Sequence, residues 1–234
     1  MSEFKNIMKS IDFKALRKGL KEDSFFILKE KKSTQYCEEV IECIDLLTTE
    51  KNIETNYQGS EHRIWHANKK SKLIEEFKKF SDDLMKKVLN KVNESVNILA
   101  IRNKKLPNNS KENYAYRWHM DSLFKQYKLF LFLSNVDENS GPLELLKGTH
   151  RLNYKFKNIM SGQIISLKDF FRKDGRRAYG SINHDWVEKI IKEENLLKNL
   201  IVDQGSIVIA NTSSIHRAKP CIKGTRYALT SYYT

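Results

Sequence analysis

The spacing of hydrophobic residues predicts helices in the first part of the chain. Residues 1–22 have the pattern of a polar helix, and residues 24–28 follow as a short apolar strand. In residues 33–47 apolar side chains recur at near-helical spacing, and the first two residues, a serine and a threonine, are both candidate N-caps. Residues 71–92 carry an apolar stripe that is typical of a helix face packed on a core.

After Asn93 the pattern changes to short β-type runs. Clusters of Asn, Gly and Ser separate these runs, which is typical of an antiparallel β-sandwich or barrel. A polar insertion over residues 152–199, with a predicted helix at 186–197, interrupts the strands, and such insertions often act as lids or binding loops. The predicted strands cover residues 96–101, 114–119, 127–133, 143–146, 200–202, 206–210 and 227–233.

These elements predict a mainly β protein with N-terminal helices, an α+β arrangement in a single domain over residues 1–234. Residues 1–95 would supply the N-terminal helices and first strands, and residues 96–234 the β core with its insertion. The length suits one such domain, and 40% hydrophobic and 11% aromatic residues are typical of a folded globular protein.

The chain is strongly basic, with 42 Lys and Arg against 29 Asp and Glu and a formal net charge of +13. Such an excess is compatible with an anionic partner, for example a phosphorylated or carboxylated small molecule. The charge is spread along the chain, however, and even the dense run at residues 29–32 contains both signs. We therefore expect a small-molecule substrate and not a nucleic acid.

The three cysteines, Cys37, Cys43 and Cys221, predict reduced thiols because their number is odd and their spacing is not paired. No apolar run approaches the length of a membrane span, and residues 1–19 lack the apolar centre of a signal peptide. We therefore expect a cytoplasmic protein without a membrane span, present as a monomer or a homodimer.

His119 and Asp121 are two residues apart in a segment predicted to be extended. Side chains at this spacing leave the same face of a strand, so both can point into one cavity. An imidazole and a carboxylate side by side are two members of a 2-His-1-carboxylate triad, which binds Fe(II) on one face and leaves the other positions open. The His-x-Asp pattern alone is common, and by itself it is a weak signal.

The downstream sequence supports this metal site. Residues 205–220 have the pattern of a glycine-started strand that ends in His216, followed by a turn at Pro220. Arg226 begins the last strand, so a hairpin can bring His216 to the same cavity and direct Arg226 inward beneath it. A guanidinium there would bind a carboxylate through two hydrogen bonds, which suits the far end of 2-oxoglutarate.

Five segments in the expected order together resemble the phytanoyl-CoA dioxygenase family. They are His119-Met120-Asp121, residues 128–136 (KLFLFLSNV), residues 139–143 (NSGPL), residues 148–151 (GTHR) and the stretch that runs from residues 215–220 (IHRAKP) to Arg226. Residues 24–28 also resemble the opening strand of that family, so the resemblance covers about residues 20–233.

The resemblance implies a double-stranded β-helix, or jelly-roll, with the N-terminal helices packed outside it. It also implies Fe(II) bound by His119, Asp121 and His216, 2-oxoglutarate bound by Arg226, and hydroxylation of a substrate by O2 with release of succinate and CO2. Halogenating relatives carry a small residue at the position of Asp121, so the carboxylate implies hydroxylation. The mouth of the barrel would be covered either by residues 152–199 or by another subunit.

Three residues near the triad are further candidates for ligand binding. Lys128 could reach 2-oxoglutarate or an anionic substrate, although a lysine that starts an exposed strand needs no such role. Thr212 shares strand parity with His216 and could donate a hydrogen bond in the site. Arg117 shares parity with His119, so it faces either the substrate cavity or a salt bridge at the rim.

Arg176 and Arg177 lie among other basic residues in the insertion, where they could receive a phosphate, a carboxylate or a coenzyme A ester of the substrate. A solvated basic loop explains these arginines equally well. His150 belongs to the GTHR motif, and we expect it to have a structural role in a turn.

The leading hypothesis is a dioxygenase that uses Fe(II), 2-oxoglutarate and O2 to hydroxylate a small organic substrate. The excess of basic residues is compatible with an anionic substrate. A second hypothesis is a non-catalytic jelly-roll that binds a ligand without oxidising it. A third is an oxygenase that acts on a macromolecule such as RNA or a protein side chain. The intact triad and Arg226 favour an enzyme over a binding module, and a steep salt dependence of binding would favour a macromolecular substrate.

Overall fold

The computed structural model describes residues 3–50, 53–89, 95, 97–105, 117–165 and 182–234. The α-helices in this part of the chain are α1 Glu3–Ser10, α2 Phe13–Glu22, α3 Thr34–Leu47, α4 Lys72–Leu89, α5 Leu152–Met160 and α6 His184–Glu194. The strands are β1 Phe25–Ile27, β2 Glu54–Asn56, β3 Glu61–Ile64, β4 Ile98–Lys104, β5 Tyr127–Phe132, β6 Leu143–Leu146, β7 Leu197–Leu200, β8 Ile207–Asn211, β9 His216–Ala218 and β10 Thr225–Tyr233.

The strands form two sheets. Seven strands make the larger sheet in the order β1-β8-β5-β10-β4-β3-β2, and three make the smaller one in the order β7-β6-β9. Neighbouring strands pair antiparallel in both sheets. The architecture is therefore mainly antiparallel β with several helices, which confirms the fold class expected from the sequence pattern.

The two faces of the larger sheet have different surroundings. On β5, Leu129 and Leu131 belong to the same buried cluster as the side chains of α1 to α4. Lys128, Phe130 and Phe132 alternate with them and line a cavity on the opposite face. The period of two along a strand therefore separates a packed helical layer from a face that is open to a ligand.

Local capping signals set the helix boundaries. The Ser33 hydroxyl caps the first turn of α3, and α4 buries the apolar stripe predicted for residues 71–92. Residues 1–22, expected as one helix, form two. The physical reason is Asp12, whose carboxylate accepts the N–H groups of Lys14 and Ala15 and so starts α2 at that point.

The predicted insertion is more structured and shorter than expected. It contains α5, which the pattern did not predict, and α6, expected at 186–197 but found at His184–Glu194. Asn183 caps the start of α6, and Asn195 ends it in a left-handed conformation. Residues from Leu197 onward belong to the smaller sheet, so the insertion ends before residue 199.

The strand predictions also need correction in places. The strand expected at 200–202 lies at Leu197–Leu200, where it pairs with β6. The strand expected at 114–119 falls partly outside the described residues, and at its described end His119 forms an isolated bridge with His216. Strands β2, β3 and β9 were not predicted, since each is only three or four residues long and is held by its neighbours.

Three further expectations concern cysteines, membrane spans and the basic insertion. The three cysteines are free thiols, as their odd number predicts. Within the described residues, no helix combines the length and the apolar character needed to cross a membrane. Arg176 and Arg177 lie outside the described residues, so their predicted contact with the substrate stays a prediction.

Candidate functional site

A cavity of about 470 Å³ is lined by both sheets. One wall is the inner face of the larger sheet, where Ile101, Phe130 and Phe132 present apolar side chains. Leu143 of β6 and His216 of β9 line it from the smaller sheet. Its volume and its mixture of apolar walls with a few polar groups are typical of a small-molecule site.

His119, Asp121 and His216 meet in this cavity, with one ligand atom from each side chain within 4.8 Å of the others. Asp121 Oδ1 lies 3.9 Å from His119 Nε2, and Asp121 Oδ2 lies 3.7 Å from His216 Nε2. The two imidazole centroids are 4.3 Å apart. The sequence pattern predicted this grouping, although the residues lie almost one hundred positions apart in the chain.

Backbone pairing brings the three residues together. The N–H of His119 donates to the carbonyl of His216 and the reverse bond also forms, each at 2.9 Å. The N–H of Asp121 donates to the carbonyl of Thr212 at 3.0 Å. Trp118 and Met120 alternate with His119 and Asp121 and belong to a separate buried cluster, although Met120 also lines part of the cavity. The spacing of two therefore works as expected, even without a regular strand at this point.

The hydrogen bonds of the imidazoles determine which nitrogen can bind a metal. His119 Nδ1 bonds to the carbonyl of Arg117 at 2.8 Å, and His216 Nδ1 bonds to the carbonyl of Ser214 at 2.9 Å. Because a carbonyl only accepts, both Nδ1 atoms carry the hydrogen in a neutral ring. Nε2 is then the unprotonated nitrogen in both residues, and both Nε2 atoms face Asp121.

The protonation states fit a metal site. Burial lowers the pKa of His216 to about 4, against the opposing effect of the Asp121 carboxylate, and burial also lowers the pKa of His119. Burial by itself raises the pKa of Asp121, but His216 and Lys128 outweigh it and hold that pKa well below the ordinary range. At neutral pH the site therefore offers two neutral imidazoles and a carboxylate, the states that bind a metal. This donor set suits Fe(II).

Lys128 lies beside the candidate metal site and not at an open strand end. Its Nζ atom is 2.7 Å from Asp121 Oδ2 and 5.1 Å from the centre of the Tyr232 ring. The ammonium therefore engages one oxygen of the carboxylate and leaves Oδ1 for another partner. Thr212 is completely buried, and its hydroxyl donates to the carbonyl of Gln126 at 3.4 Å. It also lies close enough to Asp121 to help lower the pKa of that carboxyl.

Arg226 belongs to a polar row that crosses three strands of the larger sheet. Asn103 on β4 is in register with Glu61 on β3 and with Arg226 on β10. The Asn103 amide donates to Glu61 Oε2 at 2.8 Å, and Arg226 Nη2 donates to Asn103 Oδ1 at 3.2 Å. Since a carboxylate only accepts, Glu61 fixes the amide with its oxygen toward Arg226. All three strands reach the cavity, and Glu61 and Arg226 line it.

Thr230 is a cavity residue that the sequence interpretation missed. It is 1% exposed and lines the cavity, and its hydroxyl has no hydrogen-bond partner among the described residues. A buried hydroxyl without a hydrogen-bond partner costs free energy of folding. A ligand in the cavity could supply the missing partner. Strand parity could have identified it, because Thr230 lies four residues after Arg226 on the same face of β10.

Other expected residues lie elsewhere. Arg117 is exposed and is not among the residues that line the cavity, although its carbonyl orients His119. Its predicted contact with the substrate therefore stays a prediction. His150 lies in the turn after β6 and is hydrogen bonded to the Ser24 hydroxyl at 2.5 Å, in agreement with a structural role.

No protein-family model matches the sequence, and no curated protein matches it either. Solved structures match over most of the chain. The epimerase SnoN, in complex with Fe3+, alpha ketoglutarate and nogalamycin RO, has a TM-score of 0.65 at 10% identity over 95% of this chain and 83% of SnoN. The carbocyclase SnoK from nogalamycin biosynthesis has a TM-score of 0.63 at 11% identity over 96% of this chain and 84% of SnoK.

HygX from Streptomyces hygroscopicus, with nickel, 2-oxoglutarate and hygromycin B bound, has a TM-score of 0.59 at 12% identity over 94% of this chain and 86% of HygX. Together with the two antiparallel sheets, these similarities show a jelly-roll fold with N-terminal helices. Likeness at such low identity shows the fold alone, and the chemistry depends on the residues of the site.

Proposed function

We propose that this chain is an Fe(II)- and 2-oxoglutarate-dependent oxygenase, and that it hydroxylates a small organic substrate with release of succinate and CO2. The observation that carries the proposal is the grouping of His119, Asp121 and His216 within 4.8 Å, in a cavity that also contains the guanidinium of Arg226. The resemblance to the phytanoyl-CoA dioxygenase family, carried by the same residues, supports it.

In this proposal His119 and His216 hold the metal through Nε2, and Asp121 holds it through one carboxylate oxygen. Lys128 keeps the other oxygen engaged, so that the carboxylate has one orientation before the metal arrives. Bound Fe(II) would supply the redox chemistry that couples O2 to 2-oxoglutarate and substrate. The protein contributes the orientation of the ligands and an apolar enclosure.

Arg226 would bind the carboxylate of 2-oxoglutarate that lies away from the metal. A guanidinium forms two parallel hydrogen bonds with a carboxylate, which fixes both position and angle. Asn103 holds one edge of this guanidinium, and Thr230 offers an unpaired hydroxyl on the same strand. The remaining walls, among them Ile101 and Phe132, would contact an apolar part of the substrate.

The choice of hydroxylation rests on Asp121, since the resemblance implies that a carboxylate here leaves no position for a halide. SnoN and SnoK are named as an epimerase and a carbocyclase, so product analysis has to test the outcome separately. A hydroxylated product gains one oxygen atom, a cyclised product loses two hydrogen atoms, and an epimer keeps its mass. Mass spectrometry of a converted substrate distinguishes the three.

The central experiment is an anaerobic titration of the Fe(II)-loaded protein with 2-oxoglutarate. Chelation of the metal by the 2-oxo acid produces a weak visible charge-transfer band. We expect the band in the wild type, and we expect Arg226→Ala to need at least about tenfold more 2-oxoglutarate, because a charge-assisted hydrogen bond contributes about 1.5–3 kcal/mol.

Arg117→Ala is the matched control, since this arginine is exposed and is not among the cavity-lining residues. It should titrate like the wild type. The absence of a band in folded, iron-loaded wild-type protein would contradict the proposal and favour a jelly-roll that binds some other ligand. An equal loss of affinity for 2-oxoglutarate in Arg226→Ala and Arg117→Ala would contradict a specific role of Arg226.

A further inference from the structure

A second cavity lies outside the site described above. It is a groove of about 830 Å³ formed by the end of α2, the loop after Asp121 and the start of α5. Lys21, Lys125, Arg151, Lys155, Phe124 and Leu152 are among its lining residues. Among the described residues, none lines both this groove and the metal cavity. The groove is therefore a separate place for a ligand.

Lys155 is the unusual residue of the groove. It is only 3% exposed, and its ammonium donates to the carbonyl of Leu123 at 2.8 Å. No described carboxylate is paired with it, and burial lowers the pKa of Lys155 to about 8. A buried ammonium whose partner is a neutral carbonyl has lost much of its hydration without gaining a counter-charge. An anion in the groove would supply that charge.

Other positive groups surround this position. Burial, together with the charges of Arg151, Lys155 and Lys125, lowers the pKa of His150 to about 4, so these three cations act on one place. Arg151 is also the N-cap residue of α5 and makes no side-chain cap, which leaves the positive end of that helix toward the groove. Among the described residues that line the groove, only Glu22 is acidic. Its side chain is half exposed and lies beside Lys18.

The groove also has an apolar component. Phe124 is 70% exposed and Leu152 is 69% exposed, and both line it together with the mostly buried Leu123. Side chains of this kind do not help to bind a small inorganic ion. A positive centre beside exposed apolar side chains fits a molecule that carries a charged end and an apolar body.

We propose that this groove is a second ligand site, which binds an organic anion through a carboxylate or phosphate near Lys155 and an apolar body packed on Phe124. The site does not depend on the proposed oxygenase activity. Its position still links it to the metal centre, because Lys155 holds the carbonyl of Leu123, two residues after Asp121.

The test is isothermal titration calorimetry of the full chain at neutral pH and low salt. Hexyl phosphate and hexanoate are used in separate arms, because they carry the two anionic groups on the same apolar body. Inorganic phosphate and hexanol are the two half-ligands. We expect at least one amphiphilic anion to bind saturably at one site, at least about tenfold more tightly than either half-ligand. The better arm identifies the anionic group.

Lys155→Met keeps the length of the side chain and removes its charge, so we expect it to weaken binding at least about tenfold. Lys157→Met is the matched control, because Lys157 lies on the same helix, is exposed and does not line the groove. Arg151→Gln, at an exposed position, is a second variant if Lys155→Met does not fold.

The proposal would be overturned by the absence of saturable binding to the wild type, by unchanged binding in Lys155→Met and Arg151→Gln, or by equal weakening in Lys157→Met. A loss of binding in Arg226→Ala, with full binding in Lys155→Met, would place the anion in the metal cavity and would also overturn it. A loss confined to the groove variants supports the proposal.

Discussion

At the scale of single residues, hydrogen bonds within the protein fix the orientation of the three candidate metal ligands. Both histidines use Nδ1 for a backbone carbonyl, and Asp121 uses Oδ2 for Lys128. Nε2 of each histidine is left facing the Asp121 carboxylate, with Oδ1 nearer His119 and Oδ2 nearer His216. A ligand set that is oriented before the metal arrives loses less conformational entropy on binding than a set of mobile side chains.

Thr230→Val tests whether the buried hydroxyl serves a ligand. Valine has nearly the same shape, and the wild-type hydroxyl has no partner among the described residues, so the free protein should be as stable or slightly more stable. Binding of 2-oxoglutarate to the metal-loaded protein should weaken by roughly 3- to 10-fold, the loss of one hydrogen bond. Ser231→Ala is the control, because that hydroxyl donates to the carbonyl of Leu129. Unchanged binding in Thr230→Val would exclude a ligand contact.

Asn103→Leu tests the support of Arg226. The change removes the acceptor for the guanidinium and the donor for Glu61, and we expect 2-oxoglutarate binding to weaken about tenfold. Binding of 2-oxobutanoate, which lacks the second carboxylate, should stay close to the wild-type value, because it does not need Arg226. If both 2-oxo acids weaken equally, Asn103 supports the whole cavity and does not position Arg226.

At the scale of elements, Gly205 limits how β8 can begin. Its φ angle is +81°, and a Cβ atom at this position would lie 2.2 Å from the carbonyl oxygen of Lys32. Gly205→Ala should therefore cost at least about 3 kcal/mol in the free energy of unfolding, from backbone strain and the clash together. Gly162→Ala has φ +73° and no atom near the added Cβ, so it should cost only about 1–2 kcal/mol. Chemical denaturation measures both, and equal costs would exclude the clash.

Elements with a strong local signal were predictable from the sequence. α3 and α4 have capping or periodic signals within their own segments, and β5 and β10 are long enough for their apolar pattern to be visible. β2, β3 and β9 have three or four residues each and depend on pairing with other strands. Their existence is a tertiary effect, which local pattern does not contain.

In the candidate site, too, the residues with a local sequence signal were predictable, and those that depend on strand register were not. His119 and Asp121 share a face because of their spacing. The hairpin expected after Pro220 does not form, because β9 pairs with β6 in the smaller sheet and β10 pairs with β4 and β5 in the larger one. His216 and Arg226 still line the same cavity, since it lies between the two sheets. Asn103 was not predictable, because its importance comes from the register of β4 with two other strands. A one-residue change of register would turn its side chain to the opposite face, and sequence alone does not fix register.

At the scale of the whole molecule, His150 makes stability depend on pH. The pKa of His150 is about 4 in the fold, against an ordinary value of 6.5, because of burial and of Arg151, Lys155 and Lys125. Between these values the unfolded chain binds the proton and the folded protein does not. The contribution of His150 to stability is therefore complete above pH 6.5 and is lost as the pH falls toward 4.

His150→Gln should flatten this part of the pH profile. After allowance for partial exposure, the wild type should lose roughly 1–2 kcal/mol more than the variant between pH 6.5 and 4. Denaturant unfolding at several pH values measures the difference. His184→Gln, at an exposed position at the start of α6, is the control and should follow the wild type. Parallel profiles for the wild type and His150→Gln would contradict the assignment.

Binding of the metal should stabilise the whole fold, and binding of 2-oxoglutarate should stabilise it further once the metal is bound. His119 and Asp121 are far from His216 and Arg226 along the chain, so the unfolded state does not present them together. A ligand that binds only the folded state, at a concentration one hundred times its dissociation constant, adds about 2.7 kcal/mol to the free energy of unfolding.

Nickel, as a redox-inert substitute for iron, should raise the midpoint of thermal unfolding, and 2-oxoglutarate should raise it further only when the metal is present. His216→Ala should lose both increments, whereas Arg226→Ala should keep the first and lose most of the second. Stabilisation by 2-oxoglutarate without metal would place it at a different site, because the proposed binding mode requires chelation of the metal.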